Sequence, residues 1–273
     1  MNEKDLKGIV KEKYGAIASQ SNLLFQQGCC GPSNCCGELE ISMIGDEYNG
    51  VAGHHPDADL GLGCGLPTEF ANIKKGDTVI DLGSGAGNDC FVARALVGEN
   101  GRVIGIDMTK AMIEKARNNN LKLGYNNIEF LLGEIEDLPL PDNTADVIIS
   151  NCVLNLVPDK EKAFSEIHRV LKPGGHFSIS DVVVKGNLPE KLRQDAEMYV
   201  GCVAGAMEKE AYLNVIQNSG LTNVTVQKEK QIPIPDETLL NYLGPQGLAD
   251  YQKSKSGIFS ITVYAEKNNR VQY

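Results

Sequence analysis

The sequence predicts an α/β fold: a mostly parallel, seven-stranded sheet with helices on both faces, an N-terminal cap and a C-terminal α+β portion. Three observations predict it. Short apolar, β-branched runs alternate with segments of helical period between Asp77 and Val184. A glycine cluster, Gly83-Ser84-Gly85-Ala86-Gly87, stands where the first strand hands over to the first core helix. An acidic residue, Asp107, closes the second strand. Such alternation makes a parallel sheet, because each strand needs a crossover before the next can run beside it in the same direction.

Thr78-Val79-Ile80-Asp81-Leu82 reads as a buried strand, and Phe91-Val92-Ala93-Arg94-Ala95-Leu96-Val97 follows the glycines at helical spacing. Arg102 to Asp107 gives the second strand, Lys110 to Leu123 a helix, and Ile128 to Leu132 the third strand. The fourth strand spans Ala145 to Ser150, and the next helix shows Ala163, Phe164, Ile167, Val170 and Leu171 on one face. Pro173-Gly174-Gly175 reads as a turn into a fifth strand, Phe177 to Val183. Outside this core the sequence suggests helices over Glu3 to Ser19, Pro189 to Val200 and Lys209 to Gln217. Strands over Val224 to Gln227 and Ile258 to Ala265 would complete the sheet as an antiparallel edge pair. The loop Ile232-Pro233-Ile234-Pro235-Asp236 leads to a short helix. The expected division is a cysteine-rich acceptor-side segment over 1–71, a nucleotide-binding core over 72–184, and a closing portion over 185–273.

A net charge of -10 argues against nucleic acid or an anionic membrane surface as partner, since both need clustered Lys and Arg. No apolar run approaches the roughly 18 residues of a membrane span, and the charged start does not read as a signal peptide. The expectation is a cytoplasmic monomer acting on small molecules. Eight cysteines in 273 residues are many, but they lack the density of a small disulfide framework. Thiols kept reduced serve metal ligation, redox chemistry or core packing.

Glycines at a strand-to-helix passage let a ligand approach the helix N-terminus, and an acid closing the next strand suits ribose hydroxyls. The spacing Gly83-x-Gly85-x-Gly87, with Asn88 where the dinucleotide fingerprint wants glycine, disfavours NAD. No G-x-x-x-x-G-K-[ST] segment supports ATP. Three thiols stand near this frame. Cys152 follows the fourth strand, where the sheet presents its ligand, and reads as a nucleophile or a soft-centre ligand facing the cofactor. Cys64 lies in the glycine-bracketed loop Gly63-Cys64-Gly65, and Cys202 lies beside the small residues Gly201, Ala204 and Gly205. Taken alone, each is also a core cysteine. Three thiolates from distant segments suit a three-coordinate soft centre such as trivalent arsenic, whereas zinc usually takes a fourth ligand.

The stretch Val79 to Gly87, with Asp107 and with Gly133-Glu134-Ile135 before Leu138-Pro139-Leu140-Pro141-Asp142, resembles the class I (Rossmann-like) S-adenosylmethionine-dependent methyltransferases. Adding Gly63 to Pro67, Asp89-Cys90, Met108-Thr109, Ser150 to Leu156 and Gly201 to Gly205, the pattern resembles the arsenite S-adenosylmethionine methyltransferase family. That resemblance implies cofactor contacts from Asp81, Gly83, Ser84, Gly85, Gly87, Asp107 and Met108. It implies an adenine contact from Glu134 and Ile135, and the backbone carbonyl of Asn151 on the cofactor's amino group. It further implies that Cys64, Cys152 and Cys202 bind As(III), supplied as arsenite or its thiol conjugates, and that the arsenic lone pair attacks the cofactor methyl.

Methylation formally oxidises arsenic, so the resemblance also implies an N-terminal cysteine that forms a disulfide with Cys64. Cys36 and Cys30, in the cluster Cys29-Cys30-Gly31-Pro32-Ser33-Asn34-Cys35-Cys36, both fit that role. A structural zinc or iron site and a first docking site for arsenite remain alternatives for the cluster. An external thiol reductant, thioredoxin or glutathione, would complete the cycle. The rival functions are a thiol-rich arsenite sensor without turnover and a small-molecule C- or O-methyltransferase. Cys90, Asp89, His54, His55, His168 and His176 receive structural readings.

Overall fold

The computed structural model describes residues 3–19, 48–186, 206–234, 236–254 and 256–269. Its elements in chain order are α1 (Glu3–Ser19), α2 (Pro67–Phe70), β1 (Thr78–Leu82), α3 (Asn88–Val97), β2 (Arg102–Asp107), α4 (Lys110–Leu123), β3 (Ile128–Leu132) and β4 (Ala145–Asn151). They continue with α5 (Lys160–Val170), β5 (Leu171–Lys185), α6 (Lys209–Asn218), β6 (Leu221–Ile232), α7 (Asp236–Lys253) and β7 (Gly257–Lys267). A short 3-10 turn, Leu154–Leu156, follows β4. The seven strands form one sheet in the order β3-β2-β1-β4-β5-β7-β6. β1 to β5 pair in parallel, and β7 inserts antiparallel between β5 and β6.

Alternation along the central strands sends side chains to opposite faces, so each face acquires its own core. Ile80, Ile104 and Ile148 pack with Phe164 and Ile167 of α5 and with Tyr212 and Ile216 of α6. On the other face Val79, Val103, Val147 and Ile149 pack with Phe91 and Ala93 of α3 and with Ile113 and Ala116 of α4. Helices therefore cover both faces, as the sequence predicts.

Three elements differ from the sequence reading. Pro173-Gly174-Gly175 is not a turn ahead of the fifth strand; it lies inside β5, where the pairing with β4 shifts between Ala145 and Val147. Gly174 takes φ 78° there, so the stretch acts as a bulge. β6 is 12 residues long rather than four, because one of its faces is solvated and reads as polar. The expected short helix is the 18-residue α7, kinked at Gly244 (φ 68°) ahead of Pro245. The helix expected over Pro189 to Val200 lies outside the described residues. Among the described residues no helix is long and apolar enough to cross a membrane.

Candidate active site

The C-terminal ends of β1, β2 and β4 open onto a cavity of about 1120 Å³ that includes space open to solvent. The glycine loop forms its floor. Gly83 N and Ser84 N both donate to Ile106 O, at 2.7 and 3.0 Å, which ties the loop to β2. Gly85 N donates to Asp107 Oδ2 at 3.0 Å, and Thr109 N donates to Asp107 Oδ1 at 2.7 Å. Burial raises the Asp107 pKa against these backbone donors, which favour its charged form. At Gly87 (φ 98°) a Cβ would come within 2.9 Å of Phe130, whereas at Gly85 (φ 51°) it would meet nothing within 4 Å. The first glycine permits helix packing; the second borders open cavity.

These residues fit S-adenosylmethionine. Ser84 Oγ is buried with no hydrogen-bond partner among the described residues, which leaves a polar group ready for a ligand. Asp59, Asp81, Asp89, Asp107, Glu134 and Glu136 all line the cavity. That acidic lining suits a cofactor carrying a sulfonium and an ammonium group.

A wall that carries two of the cysteines adjoins this floor. Cys152 lines the cavity and is buried, with φ 61°, a strained conformation for a residue with a Cβ. Its N–H donates to Ser180 O at 2.8 Å, which anchors it to β5. Cys64 is also buried and shares one apolar cluster with Cys152, Val182, Val184 and Ile258. Its N–H donates to Asn151 Oδ1 at 2.9 Å, and its carbonyl accepts Ser260 Oγ at 2.5 Å. The glycines beside it are required by close approach: a Cβ on Gly63 would lie 2.7 Å from Asn151 Nδ2, and one on Gly65 would lie 2.6 Å from Ser180 Oγ.

A family profile described as "Methyltransferase domain" matches residues 73–220. The arsenite methyltransferase of Aquipseudomonas alcaligenes is 36% identical, over 86% of this chain and 67% of that protein. The one from Halobacterium salinarum is 39% identical over 96% of this chain and 66% of its own length. The crystal structure of an arsenic(III) S-adenosylmethionine methyltransferase from Chlamydomonas reinhardtii superposes with a TM-score of 0.64. It is 38% identical over 76% of this chain and 68% of that one. The chain belongs to the arsenite methyltransferase family. It spans about two thirds of the length of these relatives.

Set against the arsenite methyltransferase pattern, the expected cofactor residues Asp81, Gly83, Ser84, Gly85, Asp107, Met108, Glu134, Ile135 and Asn151 all line the cavity. Gly87 caps the start of α3 just behind it. Cys64 and Cys152 fall in one buried cluster. Cys202, Cys30 and Cys36 lie outside the described residues. Among those described, no group of three or more His, Cys, Asp and Glu gathers as a metal site. His54 Nε2 instead lies 3.0 Å from Asp59 Oδ2, and His176 Nε2 lies 2.6 Å from Ala71 O.

Several partners escaped the sequence reading. Asp81 accepts the Cys90 thiol at 3.2 Å, and burial together with the neighbouring Asp89 charge pushes its pKa well up. Asp89, read from sequence as an early-helix residue, is buried in the cavity wall and accepts Tyr48 Oη at 2.7 Å. Glu134, expected on the adenine amino group, has its oxygens held by Lys7 at 2.8 Å and Lys11 at 2.9 Å, both from α1. The lysine hydrogen bonds hold its carboxyl down at about 2. Tyr212 Oη donates to the fully buried Asp181 at 3.0 Å, and burial pushes that carboxyl up to about 7. An acidic first helical turn hinted at Asp89; nothing local signalled Tyr48 or the Asp181–Tyr212 pair.

Proposed function

We propose that this chain methylates trivalent arsenic with S-adenosylmethionine, the arsenic held by Cys64, Cys152 and Cys202. The observation carrying this reading is that Cys152 lines the cofactor cavity while sharing a buried apolar cluster with Cys64. Two thiols in such a setting select a soft, thiophilic centre. S-Adenosylmethionine supplies an electrophilic methyl on a sulfonium. Asp107 and the glycine loop hold the cofactor, Glu134 and Ile135 bound its adenine end, and the thiolates fix the arsenic so that its lone pair points into the cavity. As the arsenic–carbon bond forms, the carbon–sulfur bond breaks and its electron pair stays on sulfur. Arsenic becomes formally pentavalent, and a thiol pair drawn from Cys64 and either Cys36 or Cys30 returns two electrons as it closes to a disulfide. Thioredoxin or glutathione then reopens that disulfide.

The test incubates the full chain with arsenite, methyl-labelled cofactor and a thiol reductant. Label on arsenic supports the enzyme, and arsenite binding without transfer supports the sensor reading. Cys152→Ser should lower methyl transfer by about 100-fold or more through lost positioning of the acceptor. Transfer at the wild-type rate by that variant would mean the arsenic sits elsewhere.

A further inference from the structure

Asn151 spends its side chain on the loop that carries Cys64. Its Oδ1 accepts the Cys64 N–H at 2.9 Å, and its Nδ2 donates to the Gly65 carbonyl at 2.8 Å. One amide thus holds both the N–H of Cys64 and the carbonyl of the residue after it. These partners also fix the amide's orientation, since an N–H can only donate and a carbonyl only accept. The remaining Nδ2 hydrogen faces Tyr48 Oη at 2.8 Å and Asp89 Oδ2 at 3.3 Å. Tyr48 donates in turn to Asp89 Oδ1 at 2.7 Å. Asn151 directly precedes Cys152, so the bracket ties the backbone of one acceptor thiol to the neighbour of the other. Gly63 lies so close to Nδ2 that even a methyl group would displace it.

We propose that Asn151 is a positioning residue that sets the spacing of Cys64 and Cys152, with Tyr48 and Asp89 as the lock that holds its amide in place. The proposal rests on the reading of those two cysteines as acceptor ligands. It assigns the Asn151 side chain to the acceptor rather than to the cofactor alone. Such a bracket matters because an off-target displacement of about 1 Å between reacting groups costs on the order of 100-fold in rate.

Phenylarsine oxide is the probe. Its arsenic–oxygen bonds are replaced by two arsenic–sulfur bonds, and the two thiol protons leave with oxygen as water, so arsenic stays trivalent. Peptide mapping of the full chain reads the Cys64–As–Cys152 bridge, and competition with 2,3-dimercaptopropanol reads its affinity. Asn151→Ala should weaken the bridge about tenfold or more, Asn151→Asp likewise, since it keeps the acceptor for Cys64 N–H but sets an oxygen against the Gly65 carbonyl and Asp89 Oδ2, and Tyr48→Phe least. Iodoacetamide should alkylate Cys64 no more slowly in any of them, because a single thiol needs no partner. Gly63→Ala strains the bracket from the loop side and should weaken the bridge as Asn151→Ala does; it decides the matter if Asn151→Ala fails to fold. A bridge of wild-type affinity in Asn151→Ala or in Gly63→Ala overturns the proposal. Methyl transfer is scored separately: an Asn151-dependent bridge without transfer keeps the proposal and sinks the enzyme reading. No Cys64–As–Cys152 bridge in the wild type sinks both.

Discussion

The cofactor floor and the proposed acceptor wall meet at Asn151 and Cys152, yet they are made differently. The floor comes from one short stretch, Asp81 to Thr109, closed by backbone N–H groups on Ile106 O and the Asp107 carboxylate. The wall is assembled from distant segments: Cys64 is held by Asn151, 87 positions away, and by Ser260, 196 positions away. Local construction gives a floor that forms with β1 and β2. Long-range construction gives a wall that exists only when the sheet is complete. A change in one should therefore leave the other measurable.

The largest effect expected on the floor is from Asp107→Ala. It removes a carboxylate bonded to two backbone amides and should raise the cofactor dissociation constant about 10- to 100-fold, from the roughly 1.5–3 kcal/mol of a charged hydrogen bond. Phenylarsine capture by Cys64 and Cys152 should stay intact in that variant. Loss of both would show the two regions are one unit.

The next effect is a pH dependence seated behind the wall. Asp181 has its carboxyl raised from 3.8 to about 7 by burial. Its contribution to stability is therefore fully present below about pH 4 and is lost as pH rises through about 7. Thermal midpoints of the wild type should fall over that window, and Asp181→Asn should flatten the fall. An unchanged slope would mean Asp181 stays charged in the fold.

Smaller again is the strain at Cys152. At its φ of 61° glycine is free of the Cβ penalty, so Cys152→Gly should be more stable than Cys152→Ala by about 1 kcal/mol in urea melts. Equal midpoints would remove strain from the account of the wall. Smallest is the α1 ion pair on the floor's rim. Lys7→Ala should cost no more than about 1 kcal/mol, an effect that added salt screens in the wild type. Because the Glu134 carboxyl is lowered from 4.5 to about 2, that contribution should be full above about pH 4.5 and be lost progressively as pH falls through about 2. A contribution already gone at pH 4 would contradict this.

What the sequence made legible follows the same division. The β-branched runs of β1, β2 and β4, the glycine loop and Asp107 lie close together in the chain, so spacing alone exposes them. Asp89 and Tyr48 meet only through tertiary folding, and no periodicity links them. β6 carries Thr225, Gln227 and Glu229 between its inward positions, and that polar face hid most of its length. The Pro-Gly-Gly bulge misled for a related reason: glycine and proline punctuate turns far more often than they interrupt a paired strand. The cysteines were visible as chemistry, and it took Asn151 at the end of β4 and Ser260 of β7 to hold the Cys64 loop in one cluster with Cys152.

The placement of β7 has a consequence for synthesis. β1 to β5 can pair as they emerge from the ribosome, but the seat between β5 and β6 is filled by residues 257–267. Ser260, which holds the Cys64 carbonyl, belongs to that late strand. A nascent chain can therefore build its cofactor floor while the wall that carries Cys64 and Cys152 is still incomplete. Until β7 slides home, the Cys64 carbonyl lacks the hydroxyl that holds it.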